Sequence, residues 1–317
     1  MKLPVILLAG PTAAGKTVLA IELAERLGTQ IISADSMQVY RNMDVGTAKP
    51  SAEERSLVVH HLIDVVDPDE PFDAAQYLQL ARPIVEYLHS QGKVPVVVGG
   101  TGLYMKVLTL GICPVPPGDP RVRQELSTEL KTRGLFCLYA ELNEVDPALA
   151  VKLNPNDRQR ITRALEVYRS TGETLSRWQE QHAFRTVLFP SIRVFISRSR
   201  DDIYARIDRR VDVMMQNGFL DEVAGLLAMG YSPDLKSLQS LGYKQLIRYL
   251  SGGISLEAAV RQTKLETRHY AKRQITWFRG DSSFRWLDAD DETGIIEWIE
   301  DEVDRWLGVD SRAGGTA

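Results

Sequence analysis

The 317-residue sequence predicts an α/β protein in which a parallel sheet is covered by helices on both faces and interrupted by an inserted helical domain. Three observations predict it. An apolar run at 3–9 leads into a glycine-rich loop and a helical pattern, short apolar strands alternate with helices over the first 110 residues, and a long helical stretch precedes a late strand at 192–196.

The first strand is followed by the phosphate-binding pattern G-x-x-x-x-G-K-[ST], with apolar helical periodicity after it. Glycines let backbone N–H groups close on phosphate oxygens, and the helix dipole adds positive potential there. We expect Lys16 to reach the outer phosphate and Thr17 to hold Mg²⁺. The loop residues are Gly10, Pro11, Thr12, Ala13, Ala14, Gly15, Lys16 and Thr17.

Two further strands are predicted at 31–34 and 94–98. The second consists of β-branched valines apart from Pro95, and such a continuous apolar run predicts a strand that is buried on both faces. The first ends at Asp35 and the second at Gly99-Gly100-Thr101-Gly102. Ligands of parallel sheets bind at the carboxyl ends of strands, so we expect the phosphate loop, Asp35 and Thr101 to converge. Asp35 is a candidate base or magnesium ligand, with helix N-capping as the alternative. The glycine-rich loop at Thr101 has a tight turn as its alternative.

A helix is predicted over 73–89, with Gly92 beyond its end. A proline- and glycine-rich segment at 111–120 suggests a boundary. We therefore predict the first part of the core at 1–118, a helical insertion at 119–188, and a second, mostly helical part of the core at 189–307. The small, polar residues 308–317 are expected to be disordered.

Composition is that of a soluble globular protein, with no stretch near the 20 apolar residues of a membrane span. The N-terminal apolar run is too short for a signal-peptide core. Cys113 and Cys137 belong to no metal-binding motif, which suits a reducing cytoplasm. We expect a cytoplasmic protein large enough to stand as a monomer.

The formal net charge of −4 conceals an uneven distribution. The segment 158–212 has twelve arginines against seven acidic residues, 236–279 has nine lysines and arginines against two glutamates, and 281–304 is acidic. Such asymmetry is typical of a protein with one surface that faces a polyanion, although solvated helices would show it too.

Several helical side chains are candidates for polyanion contact. Gln159 and Arg163 share a helix face, and both types suit base edges or phosphates. A later helix carries a basic stripe, and its aromatic residues are expected to pack in the core. A further arginine group could clamp a phosphate, although pairing of Arg206 with Asp202 is an equal alternative. The stripe comprises Arg261, Lys264, Arg268, Lys272 and Arg279, the aromatics are Tyr270, Trp277 and Phe278, and the arginine group is Arg206, Arg209 and Arg210. The pair His60-His61 is interpreted as structural.

With these segments in view, the chain resembles the bacterial tRNA dimethylallyltransferase family. The resemblance extends from the phosphate loop to about residue 279 and depends on several motifs in order. These are residues 10–17, Asp-Ser-Met-Gln-Val-Tyr-Arg at 35–41 with Gly-Thr-Ala-Lys-Pro at 46–50, His-His-Leu-Ile-Asp at 60–64, Gly-Gly-Thr-Gly-Leu-Tyr at 99–104, 156–168, Leu-Gly-Tyr-Lys-Gln at 241–245, and 270–279.

The resemblance implies transfer of a dimethylallyl group from dimethylallyl diphosphate to N6 of adenine 37 in tRNAs that read codons beginning with U. It implies a P-loop NTPase-like fold, a loop that holds the donor's diphosphate with Mg²⁺, Asp35 as general base, and Thr101 as an orienting residue. By the same resemblance, the anticodon stem-loop is expected to contact Asp35, Ser36, Met37, Gln38, Thr101, Arg123, Gln159, Arg160, Ile161, Thr162, Arg163, Ser240, Leu241, Gly242, Tyr243, Lys244 and Gln245.

Three other functions fit parts of the sequence. A prenyltransferase acting on free adenylate would not need the helical insertion or the basic segments. A small-molecule kinase would more often have a magnesium-binding Asp where Gly-Gly-Thr-Gly stands. A non-catalytic RNA-binding protein would not need an intact phosphate loop with Asp35 beside it.

Overall fold

The structure is a computed structural model that describes residues 2–182 and 187–308. The described part contains six strands: β1 (Val5–Ala9), β2 (Ile31–Ser33), β3 (His60–His61), β4 (Val96–Gly99), β5 (Ser191–Ser197) and β6 (Arg285–Asp288). Its helices are α1 (Lys16–Arg26), α2 (Ala52–Leu57), α3 (Ala74–Ser90), α4 (Gly102–Leu110), α5 (Pro120–Val145), α6 (Pro147–Ala150), α7 (Arg158–Thr171), α8 (Leu175–His182), α9 (Arg200–Gln216), α10 (Phe219–Ala228), α11 (Tyr243–Leu250), α12 (Leu256–Arg279) and α13 (Glu292–Leu307).

The six strands form one sheet in the order β3-β2-β4-β1-β5-β6, and every neighbouring pair is parallel. Because β2, β4 and β1 are adjacent, the loops that follow them emerge side by side at the carboxyl edge. This order confirms the predicted parallel α/β sheet.

Alternate residues of the central strands belong to separate apolar clusters. Val5, Leu7 and Ala9 pack in one cluster and Ile6 and Leu8 in the other, and all are at most 1% exposed. Successive strand side chains point to opposite faces, so a continuous apolar strand buries both faces under helices.

The helix bounds follow local capping. The Asp73 side chain accepts hydrogen bonds from the backbone N–H groups of Ala75 and Gln76, and Gln76 completes a capping box, so α3 begins at residue 74, one residue after the predicted start at 73. Gly92, with a φ of 72°, follows its end.

The described residues divide into two compact units, one from Met1–Thr109 with Leu188–Ala317 and the other from Leu110–Val187. The second unit has its own apolar core, centred on Leu138, Leu142, Ile161 and Leu165. Its longest helix, α5, is interrupted at Gly134, where φ is 80°. The unit begins nine residues before the expected position 119.

The observed strands differ from the predicted ones in detail. The strand expected at 94–98 begins at Val96, because Pro95 has no N–H to donate to the ladder, and it continues to Gly99. The two edge strands β3 and β6 were not predicted, since a histidine pair and an acidic segment carry no strand pattern. The predicted disordered tail lies, from 309 onward, outside the described residues.

Candidate active site

The phosphate loop connects β1 to α1 with the geometry that its glycines require. Gly15 has a φ of 97°, and a Cβ on Gly10 would lie 2.9 Å from the carbonyl oxygen of Ile196. Ala13 also adopts a positive φ of 66°. Alternation of this kind turns successive backbone N–H groups toward one concave surface, which suits an anion. Arg198 supports the loop from outside, since its Nε donates to the carbonyl oxygen of Ala14 at 3.1 Å.

Two cations face this loop, and neither forms an ion pair with a carboxylate of the described residues. Lys16 Nζ donates to the carbonyl oxygen of Pro11 at 2.8 Å, and Arg210 Nη1 donates to Thr12 Oγ1 at 3.2 Å. Burial, followed by the nearby charge of Arg210, lowers the pKa of Lys16 to about 7, whereas Asp35 acts in the opposite direction. Burial also lowers the pKa of Arg210. An anion placed here would meet positive charge that no ion pair neutralises in the described part of the chain.

Asp35 follows β2 and lies next to the loop. Its Oδ1 accepts hydrogen bonds from the backbone N–H groups of Met37 at 2.8 Å and Gln38 at 3.4 Å. This is the capping geometry considered as the alternative, but a turn follows here and no helix. One carboxylate oxygen thus orients the side chain, and Oδ2 has no hydrogen bond to any described residue.

A hydrogen-bond network connects the loops that follow β1, β2 and β4. Thr101 Oγ1 accepts from the backbone N–H of Ser36 at 3.1 Å. Gln274, on α12, accepts from the N–H of Thr12 at 2.9 Å and donates to the carbonyl oxygen of Gly100 at 3.1 Å. Tyr270 hydrogen-bonds Thr101 and Gln274, and burial raises its pKa. The predicted convergence of the three strand ends is therefore present, and α12 supplies side chains that hold it together.

Two cavities meet beside Asp35. One, of about 280 Å³, is lined by the phosphate loop, Asp35, Arg210 and Gln274. The other, of about 380 Å³, has apolar walls that include Met214 and Phe219. The residues shared by both linings are Thr12, Asp35, Thr47, Ala48, Arg210 and Tyr270. Tyr270 was expected to pack in the core, and that expectation was wrong because one turn of α12 passes directly over the site.

The predicted segment at 240–245 lines the second cavity through Ser240, Leu241, Tyr243 and Lys244. Ser240 Oγ is buried and has no hydrogen-bond partner among the described residues. The Tyr243 and Gln245 side chains are each 1% exposed, and Gln245 accepts from the backbone N–H of Gly242. These two side chains therefore shape the segment from within.

The second unit carries the other predicted nucleic-acid contacts. Arg123 Nη2 lies 2.8 Å from Glu166 Oε1, and Arg163 Nη1 lies 3.0 Å from Glu166 Oε2. The Glu166 side chain is only 7% exposed, whereas those of Arg123 and Arg163 are 67% and 38% exposed. A Cβ on Gly118 would lie 1.8 Å from Glu166 Oε1, so the glycine lets this carboxylate approach the backbone closely. Two guanidinium groups are thus held at the surface by one buried carboxylate.

Near this cluster, α7 presents Gln159 and Arg160 at the surface and Thr162 partly buried, while Ile161 is fully buried in the second unit's core.

The expected basic stripe of α12 is partly neutralised. Lys264 pairs with Asp212 and Arg268 with Asp208, both from α9. Trp277 is 44% exposed instead of packed in the core, while Phe278 is buried as predicted.

Arg206 pairs with Asp202 at 3.0 Å, as the alternative interpretation had it. His60 and His61 hydrogen-bond the carbonyl oxygen of Val58 and the side chain of Gln30, in keeping with a structural role.

No group of three His, Cys, Asp or Glu side chains within residues 2–182 and 187–308 could hold a metal ion by itself. None of the helices in those ranges is long and apolar enough to cross a bilayer.

The all-parallel sheet with a phosphate loop after its first strand places the chain among P-loop-like α/β enzymes. The sequence matches the family model "IPP transferase" over residues 38–281. It is 58% identical over 301 residues to the tRNA dimethylallyltransferase of Syntrophobacter fumaroxidans, covering 95% of this chain and 88% of that one. It is 49% identical to the enzyme of the same name from Geobacter sulfurreducens, covering 90% and 92%.

Solved structures with a similar fold have names that match the family model or the sequence relatives. The tRNA isopentenylpyrophosphate transferase of Bacillus halodurans superposes with a TM-score of 0.72 at 36% identity, covering 98% of this chain and 99% of that one. A eukaryotic dimethylallyltransferase described as acting on tRNA superposes with a TM-score of 0.77 at 29% identity, covering 96% and 78%. The chain belongs to the tRNA dimethylallyltransferase family and is an enzyme, a prenyltransferase.

Proposed function

We propose that this enzyme transfers a dimethylallyl group from dimethylallyl diphosphate to N6 of adenine 37 in the anticodon stem-loop of tRNAs that read codons beginning with U. The observation that carries the proposal is the position of Asp35, on the wall shared by the phosphate-loop cavity and the more apolar cavity. A carboxylate at that junction separates a site for a diphosphate from a site for a nucleobase.

In this proposal the diphosphate binds the phosphate loop, where Lys16 and Arg210 face it without competing ion pairs. The adenine leaves its stack and enters the second cavity, as base-modifying enzymes require. The bond between N6 and C1 of the donor forms, the bond between C1 and the diphosphate oxygen breaks, and Asp35 Oδ2 accepts the proton lost from N6. Thr101 accepts from the backbone N–H of Ser36, next to Asp35, and interacts with Tyr270. Through these contacts it keeps Asp35 and the phosphate loop in fixed relative positions.

Oxygen donors around the loop fit a magnesium ion. Thr17 lines the first cavity together with Asp35, and Mg²⁺ in proteins takes few protein ligands and completes its shell with water and substrate phosphates. We propose that Thr17 Oγ1 is a ligand. When bound, Mg²⁺ supplies positive charge that stabilises the departing diphosphate.

The contacts with tRNA are proposed at two surfaces, one in each unit. From the first surface, Asp35, Ser36, Met37, Ser240, Leu241, Tyr243 and Lys244 line the second cavity. From the second, Arg123, Arg160 and Arg163 provide guanidinium groups near Gln159 and Thr162, whereas Ile161 is buried and would act by packing. We propose that the enzyme works as a cytoplasmic monomer, because all proposed substrate sites are formed by one chain.

The test is incubation of the full chain with labelled dimethylallyl diphosphate and unmodified tRNA, AMP or ATP in separate reactions. We expect label in tRNA alone, recovered after digestion as N6-dimethylallyladenosine, and none when guanine replaces adenine 37. Label in AMP but not in tRNA would show a free-nucleotide prenyltransferase. A tRNA that reads codons with another first base, compared side by side, tests the codon preference.

A further inference from the structure

Glu222, in the first turn of α10, accepts four hydrogen bonds and contacts no residue of the phosphate loop. Its Oε2 accepts from the backbone N–H groups of Asp44 and Val45, both at 2.7 Å. Its Oε1 accepts from the N–H of Gly46 at 3.0 Å and from the Tyr243 hydroxyl at 2.6 Å. One carboxylate thus holds three consecutive backbone amides, and the proposed reaction does not otherwise use it.

The segment that Glu222 holds forms part of the active-site wall. Gly46 lines the second cavity, and the next two residues, Thr47 and Ala48, line both cavities. The carbonyl oxygens of Thr47 and Ala48 accept from Gln38 Nε2 at 3.5 and 3.1 Å. The backbone N–H of Gln38 in turn donates to Asp35 Oδ1. A continuous chain of contacts therefore runs from Glu222 to Asp35.

Packing holds the backbone of this segment close to two aromatic rings. A Cβ on Gly46 would lie 2.1 Å from the ring of Phe219 and 2.6 Å from that of Tyr243. The two rings pack edge to face, with centroids 5.0 Å apart. The backbone of the segment therefore lies against aromatic rings on one side, and its three amides at 44–46 donate to Glu222.

We propose that Glu222 is a positioning residue for the prenyl transfer, acting through residues 44–48 and Gln38 on the orientation of Asp35. The inference rests on the proposed function, in which Asp35 accepts the N6 proton. All four groups that face Glu222 are donors, so the site requires an acceptor at both oxygens. A glutamine would turn an NH₂ donor either toward the N–H groups of Asp44 and Val45 or toward Gly46 N–H and the Tyr243 hydroxyl. The hydroxyl can rotate and accept, but at least one backbone N–H would lose its acceptor in either orientation.

Glu222→Gln should lower the single-turnover rate with saturating tRNA about ten- to hundredfold, the effect of displacing a catalytic group. The KM for dimethylallyl diphosphate should change much less than the rate, because Thr47 and Ala48 border the phosphate-loop cavity but Glu222 accepts no hydrogen bond from the loop that holds the diphosphate. Asp221→Asn is the matched control. It removes the same charge from the same helical turn, its residue is exposed and lines neither cavity, and its rate should equal that of the wild type.

A double-mutant cycle separates positioning from general destabilisation. Glu222→Gln and Gln38→Ala break the same chain of contacts, so the double variant should be about as slow as the slower single variant. Rate losses that multiply would overturn the proposal, as would an unchanged rate in Glu222→Gln. Should Glu222→Gln not fold, Tyr243→Phe removes one of the four donors, and its loss of rate must show the same non-additivity with Gln38→Ala.

Hydrogen exchange gives a readout that does not depend on turnover. In Glu222→Gln the amide protons of residues 44–46 should exchange faster, while those of α10 beyond its first turn keep their protection. Unchanged exchange at 44–46 would contradict the anchoring itself. A wild-type enzyme that fails to modify tRNA would instead contradict the proposed function, and the exchange experiment would still decide whether Glu222 holds the segment.

Discussion

The cations that we propose as ligand contacts differ between the two units in whether they form ion pairs within the protein. In the first unit, Lys16 and Arg210 are half-buried, and the hydrogen bonds that they donate to described residues go to neutral oxygens, those of Pro11 and Thr12. In the second, exposed arginines are paired in advance with the buried carboxylate of Glu166. In the first arrangement Asp35 is a nearby negative charge, but no carboxylate of the described residues pairs directly with either cation, so an anionic ligand can form those ion pairs. In the second arrangement the ion pairs are already present.

The difference has an energetic consequence. A buried cation without a partner destabilises the free protein and lowers its own pKa, and a bound anion relieves both effects. A surface guanidinium paired with a carboxylate gains less from a phosphate than an unpaired cation at a phosphate loop does, but it is oriented before binding. We therefore expect the first unit to supply chemistry and tight diphosphate binding, and the second to supply salt-dependent affinity for RNA.

Asp35→Ala is expected to have the largest effect. It should lower the single-turnover rate by about 10²- to 10⁴-fold, because a general base is lost, while tRNA affinity changes little. Asp35→Asn is the informative companion, since an amide oxygen can still accept from Met37 and Gln38 but cannot take a proton. If Asp35→Asn retained the wild-type rate, the carboxylate would serve only the turn and the proposed chemistry would be wrong.

The adjacency of the three strand ends was predictable because the sequence marks the end of each strand with a chemically distinct residue. The phosphate loop, Asp35 and Thr101 each follow a β-branched or apolar run, and parallel sheets bring such ends together. What the sequence did not reveal was the contribution of α12, since Gln274 and Tyr270 lie 262 and 169 residues from Thr12 and Thr101. Helical periodicity shows which residues share a face but not what that face covers.

The charge pattern of the sequence also predicted the basic surface only in part, because it does not show which distant residues lie opposite each charge. The excess of basic residues at 236–279 is real, yet Lys264 and Arg268 find acidic partners on α9. Those partners are more than fifty residues away along the chain, so counting within a window cannot register them. Edge strands β3 and β6 are too short and too polar for their pairing to be seen without the sheet itself.

Lys16→Met tests the energetic side of the comparison. It should weaken binding of inorganic pyrophosphate by about 10²-fold, because a buried cation facing the anion is lost. The folded-state pKa of Lys16, about 7, lies below its unfolded value, so its charge destabilises the free protein fully below pH 7 and progressively less as the pH rises toward 10.5. The variant's gain in melting temperature should therefore be largest at pH 6 and shrink by pH 9.5.

Exposed Lys131, replaced by Met, is the control and should show neither change. Differences between wild type and Lys16→Met cancel the titration of pyrophosphate itself. A melting temperature that Lys16→Met lowers equally at both pH values would show that the lysine stabilises the free loop, and the contrast between the units would fail.

Arg163→Gln tests the other unit. We expect tRNA affinity to fall about tenfold at low salt, and the slope of log affinity against log salt to become shallower by about 0.7 to 0.9, the change for one phosphate contact. The single-turnover rate at saturating tRNA should stay near that of the wild type. Arg177→Gln removes another exposed arginine of the same unit, one paired with Glu173, and should leave the slope unchanged. Equal slopes for Arg163→Gln and wild type would remove the phosphate contact from Arg163.

Ser240→Ala is expected to have the smallest effect. It tests whether a neutral buried group, like the charged Lys16, lowers the stability of the free enzyme while it contributes to ligand binding. Ser240 Oγ is buried beside the second cavity and has no partner among the described residues, so removing it should leave the free enzyme equally stable or about 1 kcal/mol more stable. If the hydroxyl is there for the nucleotide, the same change should raise the KM for tRNA about two- to fivefold, the value of one neutral hydrogen bond. Loss of ligand affinity together with a gain in free-state stability is also the pattern expected for Lys16. A stability gain with an unchanged KM would confine that pattern to the charged groups at the phosphate loop.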